Sequence, residues 1–214
     1  MAIGSCHGAE NKRRIVNGYT ISPIAHVRLL EGQERVGCCG PVSNRYYHFE
    51  AKAKSDGKIE TFIVGYDCAE QLLELAKKEK LPLFNPLAAV AGRGEAAGRT
   101  AGAASGMHRA PNPREQMGPL NAELYDAIHL LCTAWSTTPG KELREMLRFL
   151  VTFPDRERPD FVVVHFNNIV GSDFQGRSLT AMLHALRNVN PTLRQFTFPT
   201  MNALLARNGH ASHL

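Results

Sequence analysis

Apolar positions along the chain change period repeatedly, and each change predicts a different element. Over residues 19–65 they alternate or run in short blocks. "RYYHFEAKAK", then "SDG", then "KIETFIVG" reads as a β-hairpin, with Asp56-Gly57 supplying the positive φ that a tight turn needs. "RRIVNGYTI" and "AHVRLLE" read as two further strands. From Asp67 the period becomes helical: Asp67 stands at the N-cap position of "CAEQLLELAKKEK", with Leu72, Leu73 and Leu75 on one side and lysines towards the C-terminal end.

Residues 81–118 have no apolar period. They hold six glycines and many alanines, and they read as a flexible linker. "GRGEAAGRT" within them has the glycine content of a phosphate loop but neither its spacing nor its lysine, so nucleotide binding of that kind is excluded. Beyond the linker, Leu124, Ala127, Ile128, Leu131 and Trp135 predict a helix over about 121–135. Thr138-Pro139 predicts the cap and first residue of a second helix, which runs through Leu143, Met146, Leu147 and Leu150. "DFVVVHF" (160–166) is a continuous apolar run rich in valine, as in a strand buried on both faces. A helix carrying Leu179, Met182, Leu183 and Leu186 follows, then a strand "TLRQFTF" and a last helix ahead of Gly209. Strand, helix, strand within about forty residues makes a βαβ unit, with Val163 and Phe196 in the core of its neighbouring parallel strands. The expected architecture is an α+β module at 1–80, a linker at 81–118 and an α/β domain at 119–214.

Composition changes this picture little. With 43% hydrophobic and 21% charged residues the chain is an ordinary globular protein, and no apolar run is long enough for a transmembrane helix. The first residues lack a signal-peptide core, so a cytoplasmic protein is expected. The net charge of +5 is spread over all three segments rather than gathered in a basic tail. A nucleic-acid-binding patch would have to assemble in the fold, from "NKRR" (11–14) and the lysines of the first segment.

Five cysteines, at 6, 38, 39, 68 and 132, are spaced unlike a secreted disulfide framework. In a reducing compartment such a set is metal-binding or buried. Cys68 opens a helix, where the dipole favours thiolate, the metal-binding form. The order of "GCCGPV", hairpin and "VGYDCAEQ" over residues 38–70 resembles the small treble-clef-like zinc modules of some phage and plasmid proteins. The resemblance implies that Cys39 and Cys68 are ligands. Where such modules carry the partner ligands this chain has Val36 and Tyr66, which cannot bind zinc. A four-ligand site then needs Cys6, His7, Cys38 or His48; otherwise Cys39 and Cys68 are buried apolar thiols of a metal-free relic.

In the C-terminal segment, the expected strand ends place His165, Asn167 and Asn168 near Thr197, Thr200 and Asn202, with Asp173 in the intervening loop. "RPDFVVVHFNNIVGSDFQGRSLTAMLHALRNVNPTLRQFTFPT" faintly resembles the second half of a receiver domain, but His165 stands where the acceptor aspartate belongs. No nucleophile elbow or His-Glu-x-x-His motif occurs. Cys132, Trp135 and Met182 read as core, His129 as a surface or rim residue, and His210 and His213 as part of a frayed tail.

Two functions are compatible with these features. One is a non-enzymatic bipartite adaptor, an accessory protein of a mobile element whose N-terminal module binds nucleic acid or protein. The other is an enzyme acting on a nucleotide or phosphorylated substrate around His165 and Asp173.

Overall fold

Alternation along one strand organises the N-terminal half. The computed structural model describes residues 3–88 and 113–214; most of the glycine-rich segment read as a linker, and the rejected phosphate loop, lie outside them. Strands β1 (Tyr19–Arg28), β4 (Arg45–Ala53) and β5 (Ile59–Gly65) form an antiparallel sheet in the order β1-β4-β5. The central β4 is buried without interruption from Tyr46 to Ala51. Its side chains alternate, so the two faces of the sheet join two different cores. Tyr47, Phe49 and Ala51 join a small core with Ile15, Ile21, Phe62, Val64, Ala69, Leu72 and Leu73. This face is covered by helices α1 (Ala9–Gly18) and α2 (Tyr66–Leu75).

Tyr46 faces the other way and joins Ala25, Val27, Leu29 and Phe84 in a larger core with the C-terminal helices. A register shift between Pro23 and Ala25 is what lets β1 serve both cores: Ile21 points to one, Ala25 and Val27 to the other. The expected hairpin is present, with Gly57 at φ +73°. The two strands expected over 13–21 and 25–31 are present only in part: "RRIV" lies in α1, with Lys12 and Ile15 buried one turn apart, and one bulged strand covers Tyr19–Arg28. Between β1 and β4 a short ribbon of β2 (Arg35–Gly37) and β3 (Gly40–Val42) turns at Cys38-Cys39.

Residues 113–214 are helical: α3 (Pro113–Gln116), α4 (Pro119–Ala134), α5 (Lys141–Thr152), α6 (Asp160–Gly171), α7 (Leu179–Val189) and α8 (Pro199–Arg207). Helix α4 is buried almost all round and lies against α5, α7 and α8. The βαβ unit is therefore corrected. "DFVVVHF" opens α6, and "TLRQFTF" is an irregular segment with one isolated bridge, Leu87 to Leu193. The buried positions of α6 are Val162, Val163, Phe166, Asn167 and Val170, a helical face rather than a two-faced strand. Packing overrides the strand preference of its valines. The second C-terminal helix starts two residues later than the Thr138-Pro139 signal, with Gly140 at the N-cap.

The residues after α8 are held in place. Asn167 donates from Nδ2 to the Ala211 carbonyl at 2.9 Å and accepts from the His213 amide at 2.8 Å. The Leu179 amide donates to the His213 carbonyl, and Leu214 is buried in the larger core. The expected frayed tail is an anchored one.

Sheet and helices meet at polar contacts as well. Glu50, on the same face as Tyr46, is buried against α5, where Arg148 reaches it at 2.5 Å and Arg144 at 3.5 Å. His48 lies on that face too, 1% exposed, and burial near Arg144 lowers its pKa to about 4. His129, expected at the rim, is 2% exposed, stacked on Phe84 at 4.6 Å, and lowered by burial to about 3. Its Nε2 has no partner among the described residues.

A neutral buried histidine makes stability fall with acid. The unfolded chain takes up the proton near pH 6.5 and the folded one only near pH 3 for His129. That contribution is complete above about pH 6.5 and is lost as the pH falls towards 3, by roughly 1.4 kcal/mol per unit. His129→Phe keeps the stack on Phe84 and removes one titrating group. Urea titrations at pH 7, 6 and 5 should show a stability slope shallower by about one proton than in the parent chain; an unchanged slope contradicts the buried neutral histidine.

Candidate metal centre

Three separate pieces of the N-terminal half each deliver sulfur to one place. The first is the segment ahead of α1. The Ile3 amide donates to Glu60 Oε2 at 2.9 Å, and Cys6 is fully buried in the small core. The second is the turn of the β2-β3 ribbon. Gly37 lets that turn close: a Cβ there would meet the Gly40 carbonyl at 3.0 Å and the Ile63 carbonyl at 3.3 Å. The Cys38 amide donates to the Ile63 carbonyl at 2.8 Å, which fixes the turn over β5. The third is the first turn of α2, which carries Cys68.

The sulfurs converge. Cys39 Sγ lies 3.8 Å from Cys68 Sγ, 3.7 Å from Cys38 Sγ and 2.8 Å from Cys6 Sγ. Cys6 and Cys38 stand at disulfide distance, with Cα atoms 5.7 Å apart. Cys6, Cys38 and Cys39 are close enough together to hold a metal ion. Two zinc–sulfur bonds of about 2.3 Å at the tetrahedral angle span about 3.8 Å; Cys39 stands 3.8 Å from Cys68 and 3.7 Å from Cys38, while Cys6 lies nearer, at 2.8 Å.

The protonation of Cys39 is set by its neighbours. Burial raises the Cys39 thiol above its ordinary value, and the adjacent Cys68 raises it further, while Lys12 and the Cys6 amide pull it down. Thiols crowded together resist ionisation unless positive charge joins them, and a bound divalent ion deprotonates them outright. Lys12 is itself 3% exposed, and its Nζ donates to Gln71 Oε1 at 2.9 Å between α1 and α2. A buried ammonium beside the sulfurs offsets part of the negative charge that a set of thiolates would bring.

Among the other expected ligands, His7 is exposed on the N-terminal segment, where its amide donates to Ser5 Oγ, and it is not part of the close sulfur group. His48 is on the opposite face of the sheet from Cys6 and cannot reach the sulfurs. Cys132 is isolated in α4, and burial pushes its thiol up to about 12.

The residues expected at C-terminal strand ends go to separate partners. His165 is exposed on α6 and meets Glu142 at 3.0 Å. Asn167 holds the segment after α8, and Asn168 is exposed. Asp173 is buried and accepts from Trp135 Nε1 at 2.8 Å, from the amides of Gln175 and Arg177, and from the Arg177 guanidinium, which holds its carboxyl well below the usual range. Thr197 is exposed, and the amides of Thr200 and Met201 donate to Glu123, which caps α8. Asn202 accepts from Ser212. Pattern reading of the sequence missed Asp173 and Asn167 as ties between loops and helices.

Residues 4–212 match the family model described as Uncharacterised conserved protein UCP028583. The chain belongs to that family. The match takes in all four clustered cysteines and every helix of the C-terminal half, so UCP028583 is defined over the whole two-part fold. No curated protein and no solved structure matches the chain. Among the described residues no helix is long and apolar enough to cross a membrane.

Exposure and burial separate the thiols. In reduced, chelator-treated protein, iodoacetamide at pH 8 should modify Cys39 first and leave Cys132 untouched until denaturant is added, as read by peptide mass. Early modification of Cys132 contradicts its place inside α4.

Proposed function

We propose that this protein is a non-enzymatic bipartite adaptor whose N-terminal half is a zinc-stapled, treble-clef-like binding module. Cys6, Cys38, Cys39 and Cys68 are the ligands, and the ion supplies the bonds that hold the N-terminal segment, ribbon turn and α2 as one surface. The observation that carries this reading is the 3.8 Å separation of Cys39 from Cys68, with two further cysteines gathered beside them. A structural site uses four sulfur or nitrogen ligands and leaves no open position. The role is therefore architectural, and the partner is a nucleic acid or a protein that the assembled surface recognises. Resemblance to modules of phage and plasmid proteins supports an accessory role in a mobile element. Four thiolates persist in a reducing compartment, which is why a cytoplasmic location belongs with this reading.

Two features support an adaptor over an enzyme. His165 pairs with Glu142 while Asp173 is consumed by Trp135 and Arg177, so the proposed acid–base pair has other work. The N-terminal sheet shares a core with the helices, so events at the metal centre act on a surface built from both halves.

Protein purified under reducing conditions should carry one zinc per chain by elemental analysis. Cys68→Ser should weaken binding by more than the roughly 10–100-fold that loss of an outer-shell partner costs, and chelator should lower the melting temperature of the parent chain but not of this variant. Gel-shift assays of the loaded protein at low and high salt then separate the partners: salt-sensitive retardation supports nucleic acid, and none at low salt overturns that arm. Metal-free protein with intact thiols overturns the metal reading.

A further inference from the structure

The four sulfurs have two mutually exclusive uses. Cys6 and Cys38 stand at disulfide distance, and a sulfur committed to that bond is not a thiolate ligand. Cys39 is exposed and has Cys6 Sγ at 2.8 Å and Cys38 Sγ at 3.7 Å, so one accessible sulfur touches both members of the pair. Cys6 is fully buried, so oxidant from solvent reaches it only through a neighbour.

We propose that the centre is a redox switch that responds to peroxides, exchanging a four-thiolate zinc site for the Cys6–Cys38 disulfide. The proposal rests on the zinc reading above. The Cys39 thiolate attacks one oxygen of hydrogen peroxide; the O–O bond breaks, Cys39 becomes a sulfenic acid, and hydroxide leaves and takes a proton from solvent. The Cys6 thiolate attacks the Cys39 sulfur, forming the Cys6–Cys39 bond and expelling a second hydroxide, which is also protonated. The Cys38 thiolate then attacks the Cys6 sulfur and releases Cys39 as thiolate. In sum two thiolates lose two electrons, peroxide and two protons give two waters, and one S–S bond forms. Only Cys39 and Cys68 remain as ligands, and a two-thiolate remnant no longer holds the ion.

The two states differ in what they fasten. In the reduced state the ion joins the N-terminal segment, ribbon turn and α2. In the oxidised state the disulfide keeps the N-terminal segment on the turn but frees Cys68, so α2 alone loses its tie. A partner that reads the surface formed by α2 and the ribbon would distinguish the two.

The test uses the full chain, reduced and zinc-loaded, with excess reductant removed. Its zinc content is measured first; a metal-free chain overturns the zinc reading and the switch with it. Hydrogen peroxide is then added in steps while a chromophoric indicator follows free zinc and peptide mass mapping follows disulfides. About one equivalent should release the ion, with Cys6 and Cys38 in one linked peptide and Cys39 and Cys68 alkylatable, and reductant plus zinc should restore the loaded form. Cys39→Ser supplies a second reading: Cys6–Cys38 should form at least tenfold more slowly, because the exposed entry point is gone. Zinc retained at several equivalents, or release with a Cys39–Cys68 disulfide or sulfinic acids in place of Cys6–Cys38, overturns the switch and leaves the zinc reading standing. An unchanged rate in Cys39→Ser overturns the role given to Cys39.

Discussion

The N-terminal half depends on how three separate pieces of chain are brought to one point. The segment before α1 is tied to the sheet by the Ile3–Glu60 hydrogen bond, and the ribbon turn by that of Cys38 with Ile63. Helix α2 rests on Leu72 and Leu73. Each of those two hydrogen bonds is worth about 1 kcal/mol, too little by itself to fix the segment or the turn, whereas the two buried leucines hold α2 by roughly 1.5–3 kcal/mol each. Sulfur from all three pieces meets around Cys39, and a covalent or coordinate link there constrains them together. Were the proposed ion the link, its binding energy in so small a core would be folding energy rather than an addition to it.

Strand β4 connects that constraint to the rest of the molecule. Residues 46–51 are buried on both faces, so a change under α2 is one layer away from α5. Glu50 meets Arg148 and Arg144 on the far face while Phe49 and Ala51 face the sulfur side. The β1 bulge at residues 23–25 serves the same end, letting one strand feed both cores. The two halves of the fold thus share a sheet, and the proposed adaptor would present a single composite surface rather than two separate ones.

What the sequence disclosed, and what it hid, has physical reasons. The hairpin was legible because Asp56-Gly57 fixes a turn locally and aromatic residues alternate around it. Cys39 and Cys68 pair through the resemblance to treble-clef-like modules, in which a turn ahead of a hairpin and the helix after it lie side by side. The company of Cys6 depends on a segment folding back from more than thirty residues away, and no local pattern states it. "DFVVVHF" misleads because three consecutive valines carry strand preference, while its helical face emerges only when Asn167 and Val170 are counted. Asn167 reads as a site residue, yet it is polar and buried because it holds the chain near Ala211 and His213. His129 reads as a rim residue from the sequence alone, because its partners, Phe84 and Tyr125, come from a different stretch and the preceding turn.

The claim on which the account rests is that four thiolates from three separate segments bind one ion. Cobalt titration of the reduced, metal-free chain tests it directly, because tetrahedral Co²⁺ with sulfur ligands gives intense visible bands and a sulfur-to-metal charge-transfer absorption whose strength grows with the number of thiolates. Saturation is expected at one equivalent, with charge transfer matching four thiolates, a loss of about a quarter of it in Cys6→Ser and in Cys68→Ser alike, and bleaching by zinc. A pale spectrum of octahedral cobalt, or a full-strength spectrum in either variant, would contradict it.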